Sequence, residues 1–169
     1  MHRRTSFRLS ERVMGMDEAT WARHANPWSA WSRVTILPLL ALAIWSRVWI
    51  GAWALLPVAA VLLWVWLNPR LFPVPRTTDA WMTQAVLGER DWLAQGDAPE
   101  VAHHWTMVRL LTGASGIGSV VLIVGLVWLN VALTLAGLVL AMGGKLWLMD
   151  VMVRARRDLQ AAGRETVSI

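Results

Sequence analysis

The run VTILPLLALAIWSRVWIGAWALLPVAAVLLWVWL, residues Val34–Leu67, decides the fold class. Only Ser46 and Arg47 break its apolar character. A helix needs roughly 20 apolar residues to cross about 30 Å of hydrocarbon, so the run is too long for one crossing and fits two. The sequence therefore predicts two short membrane helices, about 31–46 and 51–67, joined by a tight turn.

A second apolar block, Leu110–Met149, leads to the same result. Asn130 and Lys145 are its only strongly polar residues. By the same arithmetic the block holds two more membrane helices, about 107–127 and 131–149. The predicted fold class is therefore an all-α membrane protein with four transmembrane helices arranged as two hairpins.

The segment before the first block predicts an interfacial helix, Asp17–Asn26. Acidic residues suit its N-terminal end, and the following Pro27 disfavours helix in the residue before it. Ser29 or Ser32 is then expected to cap the first membrane helix, because serine oxygens accept hydrogen bonds from main-chain N–H groups there.

The segment between the blocks predicts a cytoplasmic loop, residues 68–105, that contains an amphipathic helix over about 81–93. Trp81, Ala85 and Trp92 recur at helical spacing, while polar residues occupy other faces. This pattern is typical of a helix that lies on the membrane surface or docks on the bundle.

The chain divides into three parts by composition. Residues 1–15 are polar and basic and are expected to form a disordered extension without a signal-peptide pattern. Residues 16–157 form a single four-helix transmembrane domain, and residues 158–169 form a C-terminal tail.

The arginines predict the orientation. With both termini and the loop in the cytoplasm, Arg47 is the only arginine on the outer side, which is the asymmetry that the positive-inside rule requires. The formal charge of +5 could suggest nucleic acid. Because the arginines flank apolar segments and form no compact basic face, membrane lipids with anionic headgroups are the expected partners.

The histidines are the candidate metal ligands. The chain has no cysteine, which excludes disulfides, thiolate metal sites and a cysteine nucleophile. His24 precedes the first membrane helix, and His103 and His104 precede the third, so all three are expected at the cytoplasmic boundary. They could hold a transition metal or a haem iron, with a carboxylate to complete the set. The carboxylates considered are those of Asp91, Glu89 and Glu100. Alternatively, the imidazoles bond to lipid phosphates or helix ends.

The chain has thirteen tryptophans and no tyrosine. Indoles collect at both membrane boundaries, so the sequence predicts two aromatic belts. Contact with a pigment, quinone or other aromatic ligand is the alternative. The tryptophans assigned to the cytoplasmic belt are Trp21, Trp28, Trp31, Trp81, Trp92 and Trp105, and those of the outer belt are Trp45, Trp49, Trp53 and Trp128.

Lys145 is the one charge predicted inside a membrane helix. An intramembrane charge is costly, so it marks a candidate functional site, such as that of a small solute transporter. Structurally, the side chain could extend to the headgroups or pair with Asp150. No Asp or Glu lies mid-membrane, which argues against a cation-coupled drug exporter.

Small residues at close spacing predict helix contacts in the third and fourth membrane helices. Such residues let two backbones approach closely in a bilayer. The contact could lie within one chain, or between copies in a homo-oligomer or larger complex. The residues are Gly113, Ser115, Ser119, Gly137, Ala141 and Gly144.

Three strings together resemble a known family: DEATWARHANPWSAWSR, LNPRLFP and LGERDWL. The chain resembles small prokaryotic integral membrane proteins known only as a domain of unknown function, over roughly residues 16–157. The resemblance implies a multi-pass protein of the prokaryotic cytoplasmic membrane and supplies no catalytic residue.

Three functions remain open on this evidence. We favour a non-enzymatic accessory, assembly or scaffold subunit that docks in the membrane, because small-residue faces and a surface helix are present and no catalytic set is visible. The alternatives are a metal or haem site at His24, His103 and His104, and a small solute transporter that depends on Lys145.

Overall fold

The computed structural model describes residues 18–168, which are mostly helical and contain no strand. The all-α class is confirmed, and the predicted extension over residues 1–15 lies outside the described part. The helices are α1 Glu18–His24, α2 Pro27–Val34, α3 Ile36–Trp45, α4 Arg47–Ile50, α5 Leu55–Leu71, α6 Trp81–Gln95, α7 Trp105–Val127 and α8 Val131–Ala161, with 3-10 turns at Gly51–Ala54 and Pro99–His104.

Three helical stretches of the described chain are long and apolar enough to cross a membrane: Pro27–Leu71, Pro99–Val127 and Val131–Ala161. The first of them folds back on itself. The Ser29 hydroxyl near its start donates to Asn68 Oδ1 near its end at 2.7 Å, which brings the two ends together. Its two arms are α2 with α3 and, running in the opposite direction, α5. We call residues 27–71 the first hairpin and residues 105–149 the second hairpin.

The first hairpin begins at an asparagine cap. Asn26 Oδ1 accepts hydrogen bonds from the main-chain N–H of Trp28 at 2.9 Å and of Ser29 at 3.4 Å, and Pro27 is the first helical residue. Proline fits there because its missing N–H would have no helical partner. The expectation that Ser29 or Ser32 caps this helix is therefore wrong.

Both serines instead bond to Asn68 on the returning arm. Asn68 Nδ2 donates to Ser32 Oγ at 2.6 Å, in addition to the bond that Asn68 accepts from Ser29. The side chain of Asn68 is fully buried, and α5 continues through Pro69 to Leu71. This helix therefore extends beyond the predicted end at residue 67.

In the second hairpin, α7 and α8 pack at very short backbone separation. A Cβ on Gly118, Gly125 or Gly137 would lie closer than 3.0 Å to main-chain atoms of the opposite helix. At the turn Leu129 has a φ of 53°, and Asn130 caps α8 by accepting from Leu133 N at 3.0 Å. Glycine is thus required for this contact, as small-residue packing in membranes predicts.

The turns of the two hairpins lie at the same end of the bundle. Trp45 Nε1 donates to Thr134 Oγ1 at 3.3 Å. The guanidinium of Arg47 donates to the carbonyls of Leu126 and Val127 at the end of α7. These carbonyls have no partner within the helix, so the arginine satisfies them and complements the negative end of the helix dipole.

At the opposite end, α6, the second 3-10 turn and the end of α8 form a layer that we call the platform, residues 81–104 and 150–168. The helix α8 runs past Met149 to Ala161, and its 31 residues span about 46 Å at 1.5 Å per residue, more than the hydrocarbon requires. Gly88 of α6 lies directly against the main chain of Met152.

The platform also joins the two hairpins. Met82, Val86 and Leu87 of α6 form one buried apolar cluster with Ala25 and Ala30 at the start of the first hairpin. Leu146 and Met149 of α8 pack against the same cluster. The predicted amphipathic helix is therefore docked between the two hairpins at this end.

Candidate functional site

The structure brings two of the three predicted histidines together. His103 and His104 end the 3-10 turn that leads into α7, and both face Asp158 on the extended part of α8. The Nε2 atom of His104 lies 2.7 Å from Asp158 Oδ2, and that of His103 lies 3.4 Å from the same oxygen. One ligand atom from each residue lies within 4.8 Å of the others, which could hold a metal ion.

Contacts of Trp105, the residue that follows the 3-10 turn, fix the position of these imidazoles. Trp105 Nε1 donates to Gly96 O at 2.8 Å, and its ring packs against that of Trp92 at 5.0 Å between centroids. The His104 side chain is 12% exposed, whereas those of His103 and Asp158 are 64% and 40% exposed. Two imidazoles and a carboxylate are a ligand set that Zn²⁺ and similar ions accept, with a position left for water.

His24 lies elsewhere, beside Arg33 and Lys145. Arg33 Nη1 donates to His24 Nδ1 at 2.8 Å, and Nη2 donates to the His24 carbonyl at 3.1 Å. Burial, followed by the positive charges of Arg33 and Lys145, lowers the pKa of His24 to about 3. The ring is therefore neutral, and because Nδ1 accepts, Nε2 carries the proton. Lys145 and Asp158 are separated by roughly 20 Å along α8, so His24 does not join the other histidines.

The three carboxylates considered as further ligands each pair with a basic residue. Glu89 bonds to Lys145 at 2.9 Å, Glu100 bonds to Arg164 at 3.0 Å, and Asp91 pairs with Arg156. Asp158 is instead the carboxylate that lies beside the two imidazoles. It is 54 residues from His104 along the chain, in the segment interpreted as a tail, so no local pattern indicated it.

The Asp91–Arg156 pair is the buried centre of the platform, with exposed side-chain fractions of 0% and 5%. Asp91 Oδ1 also accepts from Val167 N at 2.6 Å, and Arg156 Nη2 donates to Val167 O at 2.8 Å. Arg156 Nε donates to Gln84 Oε1 at 3.1 Å. One ionic contact thus ties α6, α8 and the end of the chain together.

The predicted membrane charge, Lys145, pairs with Glu89 of α6 and not with Asp150, which instead pairs with Arg154 one turn further along α8. Lys145 and Arg33 also line a cleft of about 210 Å³ between the first hairpin and α8. The other lining residues are apolar: Ala30, Val34, Leu37, Ala141, Met142, Leu146 and Met149.

Over residues 7–168 the sequence matches the profile of a family described as a family of unknown function, DUF6653. The chain belongs to this family. This confirms the resemblance to a domain of unknown function. No curated protein and no solved structure matches the chain. The family match therefore gives no functional role to any residue.

In this family member, four of the six predicted small residues lie in the contact between α7 and α8. A Cβ on Gly144 would lie 2.6 Å from Ser115 Oγ, and Ser115 Oγ donates to Ala141 O at 3.2 Å. Gly137 packs against Leu122 in the same contact. Two lie outside it: a Cβ on Gly113 would meet nothing within 4 Å, and Ser119 is exposed and donates to Ser115 O.

Among the tryptophans whose side chains the structure describes, some are exposed and others pack on one another. Trp49, Trp53 and Trp128 are exposed at the end that carries the hairpin turns. Toward the platform, Trp31 and Trp81 stack with ring centroids 5.9 Å apart. The packed pair Trp92–Trp105 belongs to the platform itself, and the two aromatic belts stay a prediction.

Proposed function

We propose that the protein crosses a prokaryotic cytoplasmic membrane four times, with both termini and the platform in the cytoplasm. The fold-back of residues 27–71 supports two crossings within that stretch. The turns of both hairpins lie at one end, where Arg47 is the only arginine of residues 46–54 and 127–131. The arginines of the platform lie at the other end, in agreement with the positive-inside rule.

We further propose that it acts as a non-enzymatic accessory, assembly or scaffold subunit. The observation that carries this proposal is the buried Asp91–Arg156 pair, which fixes α6 and the chain terminus on α8. A buried ion pair costs desolvation free energy, so its main contribution is a defined arrangement of the elements that it joins. A rigid surface loses little entropy when a partner docks on it.

The topology can be tested cleanly because the native chain lacks cysteine. Ala52→Cys and Ala132→Cys place exposed thiols at the hairpin turns, and Asp97→Cys and Ala162→Cys place them on the platform. In intact cells, a membrane-impermeant maleimide should label the first two proteins only. After cell lysis it should label all four. Labelling of the platform thiols in intact cells would overturn the proposed orientation.

The docking role predicts a protein neighbour at the platform. A photoreactive residue replacing Ala94, which is exposed on α6, should give one discrete protein adduct in membranes, whereas the same residue replacing Ala52 should not. Adduct formation should be lost when Arg156→Met is added to a protein that still inserts. If Ala94 and Ala52 give the same adducts, the platform is not the docking surface.

The cluster of His103, His104 and Asp158 favours a second candidate function, metal binding at the cytoplasmic face. Its test is a Zn²⁺ titration of the purified protein, followed by calorimetry. One ion should bind, and binding should be lost in His104→Ala and in Asp158→Asn. The matched control is His24→Ala, because His24 lies beside Lys145, which is roughly 20 Å along α8 from Asp158, and the substitution should leave binding unchanged. Equal binding by all four proteins would reject this site.

A further inference from the structure

The cleft between the first hairpin and α8 combines two cations with an apolar wall. Arg33 lies at the inner end of the first hairpin, and Lys145 faces it from α8. The remaining lining side chains are aliphatic or methionine. Such a surface matches a molecule that carries a negative charge at one end and a hydrocarbon chain at the other.

The charges of the cleft do not balance within the described residues. Among the described residues, Arg33 donates hydrogen bonds only to neutral groups, namely His24 Nδ1, the His24 carbonyl and Ser29 Oγ, and forms no ion pair within 4.0 Å. Glu89 pairs with Lys145, and its field also reaches Arg33. Two cations thus face one carboxylate and a neutral imidazole, which leaves one positive charge without a counter-ion.

The cleft lies in the inner half of the bilayer, close to the headgroup boundary of the inner leaflet in the proposed topology. Lys145 lies fourteen residues after Val131, the first residue of α8, or roughly 21 Å along the helix from the hairpin turn. The hydrocarbon layer is about 30 Å thick, so the cleft occupies the inner half of the bilayer in the proposed topology. An uncompensated charge at this depth is costly, and an anionic group would relieve the cost.

From these observations we propose that the cleft binds one anionic phospholipid of the inner leaflet, with its phosphate between Arg33 and Lys145 and an acyl chain along Val34, Leu37 and Met142. Basic pockets between membrane helices on the cytoplasmic side recognise anionic headgroups in this way. The hydrogen bonds from Arg33 to His24 and Ser29 hold the guanidinium toward the cleft. The inference rests on the proposed topology for the choice of leaflet only.

The test is native mass spectrometry of the protein in mild detergent, with added dioleoyl phosphatidylglycerol or dioleoyl phosphatidylcholine. One phosphatidylglycerol should bind in preference to phosphatidylcholine. Lys145→Met should weaken phosphatidylglycerol binding about fivefold, the effect of one basic residue at a lipid surface. Glu89→Gln should strengthen it by a similar factor, because it removes the competing carboxylate.

Two further variants distinguish a specific lipid site from general electrostatic attraction. Arg154→Gln removes an exposed cation from the same helix and should leave phosphatidylglycerol binding unchanged. Met142→Trp fills the apolar groove without changing the charge and should weaken binding. Glycerol 3-phosphate, which has the headgroup chemistry and no acyl chain, should not compete. Competition by this soluble phosphate would show an anion site without a lipid and would overturn the proposal.

The measurement remains decisive if Lys145→Met does not fold, because Glu89→Gln is expected to change binding in the opposite direction. Unchanged or weaker phosphatidylglycerol binding by Glu89→Gln would overturn the proposal. Equal binding of the two lipids by the native protein would do the same. None of these results depends on the orientation in the membrane, which the cysteine labelling tests separately.

Discussion

The two hairpins are held together by different means. In the most apolar window of residues 27–71 only 6% of the residues are buried, whereas the corresponding windows of the stretches that contain α7 and α8 are 28% and 22% buried. Glycines bring the backbones of α7 and α8 into contact over residues 115–125 of α7 and 134–144 of α8. The first hairpin instead depends on Ser29, Ser32 and Asn68 at one end.

This difference reflects how apolar helices associate. Apolar side chains gain little by leaving lipid, so helices associate through close backbone packing and hydrogen bonds. The second hairpin has both, together with the platform. The first is attached to it at three places: by Trp45 and Arg47 at the turns, by an apolar cluster of Ala41 with Leu122 and Leu126, and by α6 at the platform. We therefore regard the second hairpin with the platform as one folding unit.

The largest effect is expected at the centre of this unit. Arg156→Met leaves the carboxylate of Asp91 buried without its partner and should lower the free energy of unfolding by about 3–5 kcal/mol. Thermal unfolding in mild detergent measures this loss. The double variant Asp91→Leu with Arg156→Met should regain part of it, because neither charge is then buried alone. If Arg156→Met were as stable as the native protein, the pair would not stabilise the platform.

The next largest effect tests the glycine contact. Gly137→Ala places a Cβ against the main chain of Leu122 and should cost about 1–3 kcal/mol. Gly143→Ala lies six residues further along the same helix, where a Cβ meets nothing within 4 Å. It should be neutral or slightly stabilising, because alanine favours helix over glycine by about 1 kcal/mol. Equal effects of the two substitutions in the same unfolding assay would contradict close packing of α7 on α8.

A smaller effect is expected in the first hairpin. Asn68→Ala removes the group that bonds both Ser29 and Ser32 and should cost about 1–2 kcal/mol, the usual loss for a buried hydrogen-bonded group. Limited proteolysis of the connector, residues 72–80, should speed up because α5 is loosened. The near-ultraviolet circular dichroism of the platform tryptophans should stay unchanged. A loss of that signal would mean that the two hairpins are not energetically separate.

The last effect concerns pH and is small over any single pH unit. The pKa of His24 is about 3 in the folded protein and near 6.5 when the chain is unfolded. Between these values the unfolded chain binds the extra proton, so stability is complete above pH 6.5 and falls as the pH drops toward 3. The loss should be about 1 kcal/mol per pH unit. His24→Gln should show a shallower decline than the native protein over pH 6.5 to 4.5, and identical slopes would exclude a neutral, buried His24.

The sequence predicted those features that depend on neighbouring residues, namely the helices and the turns between them. The two apolar blocks and the amphipathic helix over about 81–93 follow from composition and periodicity, whereas the docking of that helix between the hairpins is seen only in the fold. The pairs Asp91–Arg156 and Glu89–Lys145 join residues 65 and 56 positions apart, so only the folded chain brings them together. No local pattern indicated that Arg156 would pair with Asp91 at the buried centre of the platform.

The candidate sites also combine residues that the sequence indicated with partners that only the fold shows. The adjacent pair His103–His104 could be identified from sequence, but its carboxylate partner Asp158 could not, because that contact needs α8 to continue as a helix beyond its predicted end at residue 149. The cleft between Arg33 and Lys145 exists only where the two hairpins meet. No spacing within either hairpin indicates it.

The central claim is that the second hairpin and the platform fold as one unit to which the first hairpin is attached. Its most direct test is to express residues 76–169 alone and to follow the near-ultraviolet circular dichroism of Trp92 and Trp105 during heating. We expect this fragment to give a native-like signal that melts cooperatively. We also expect it to associate with residues 1–75 when both fragments are produced together. A fragment without that signal, which gains it only when residues 1–75 are supplied, would contradict the claim.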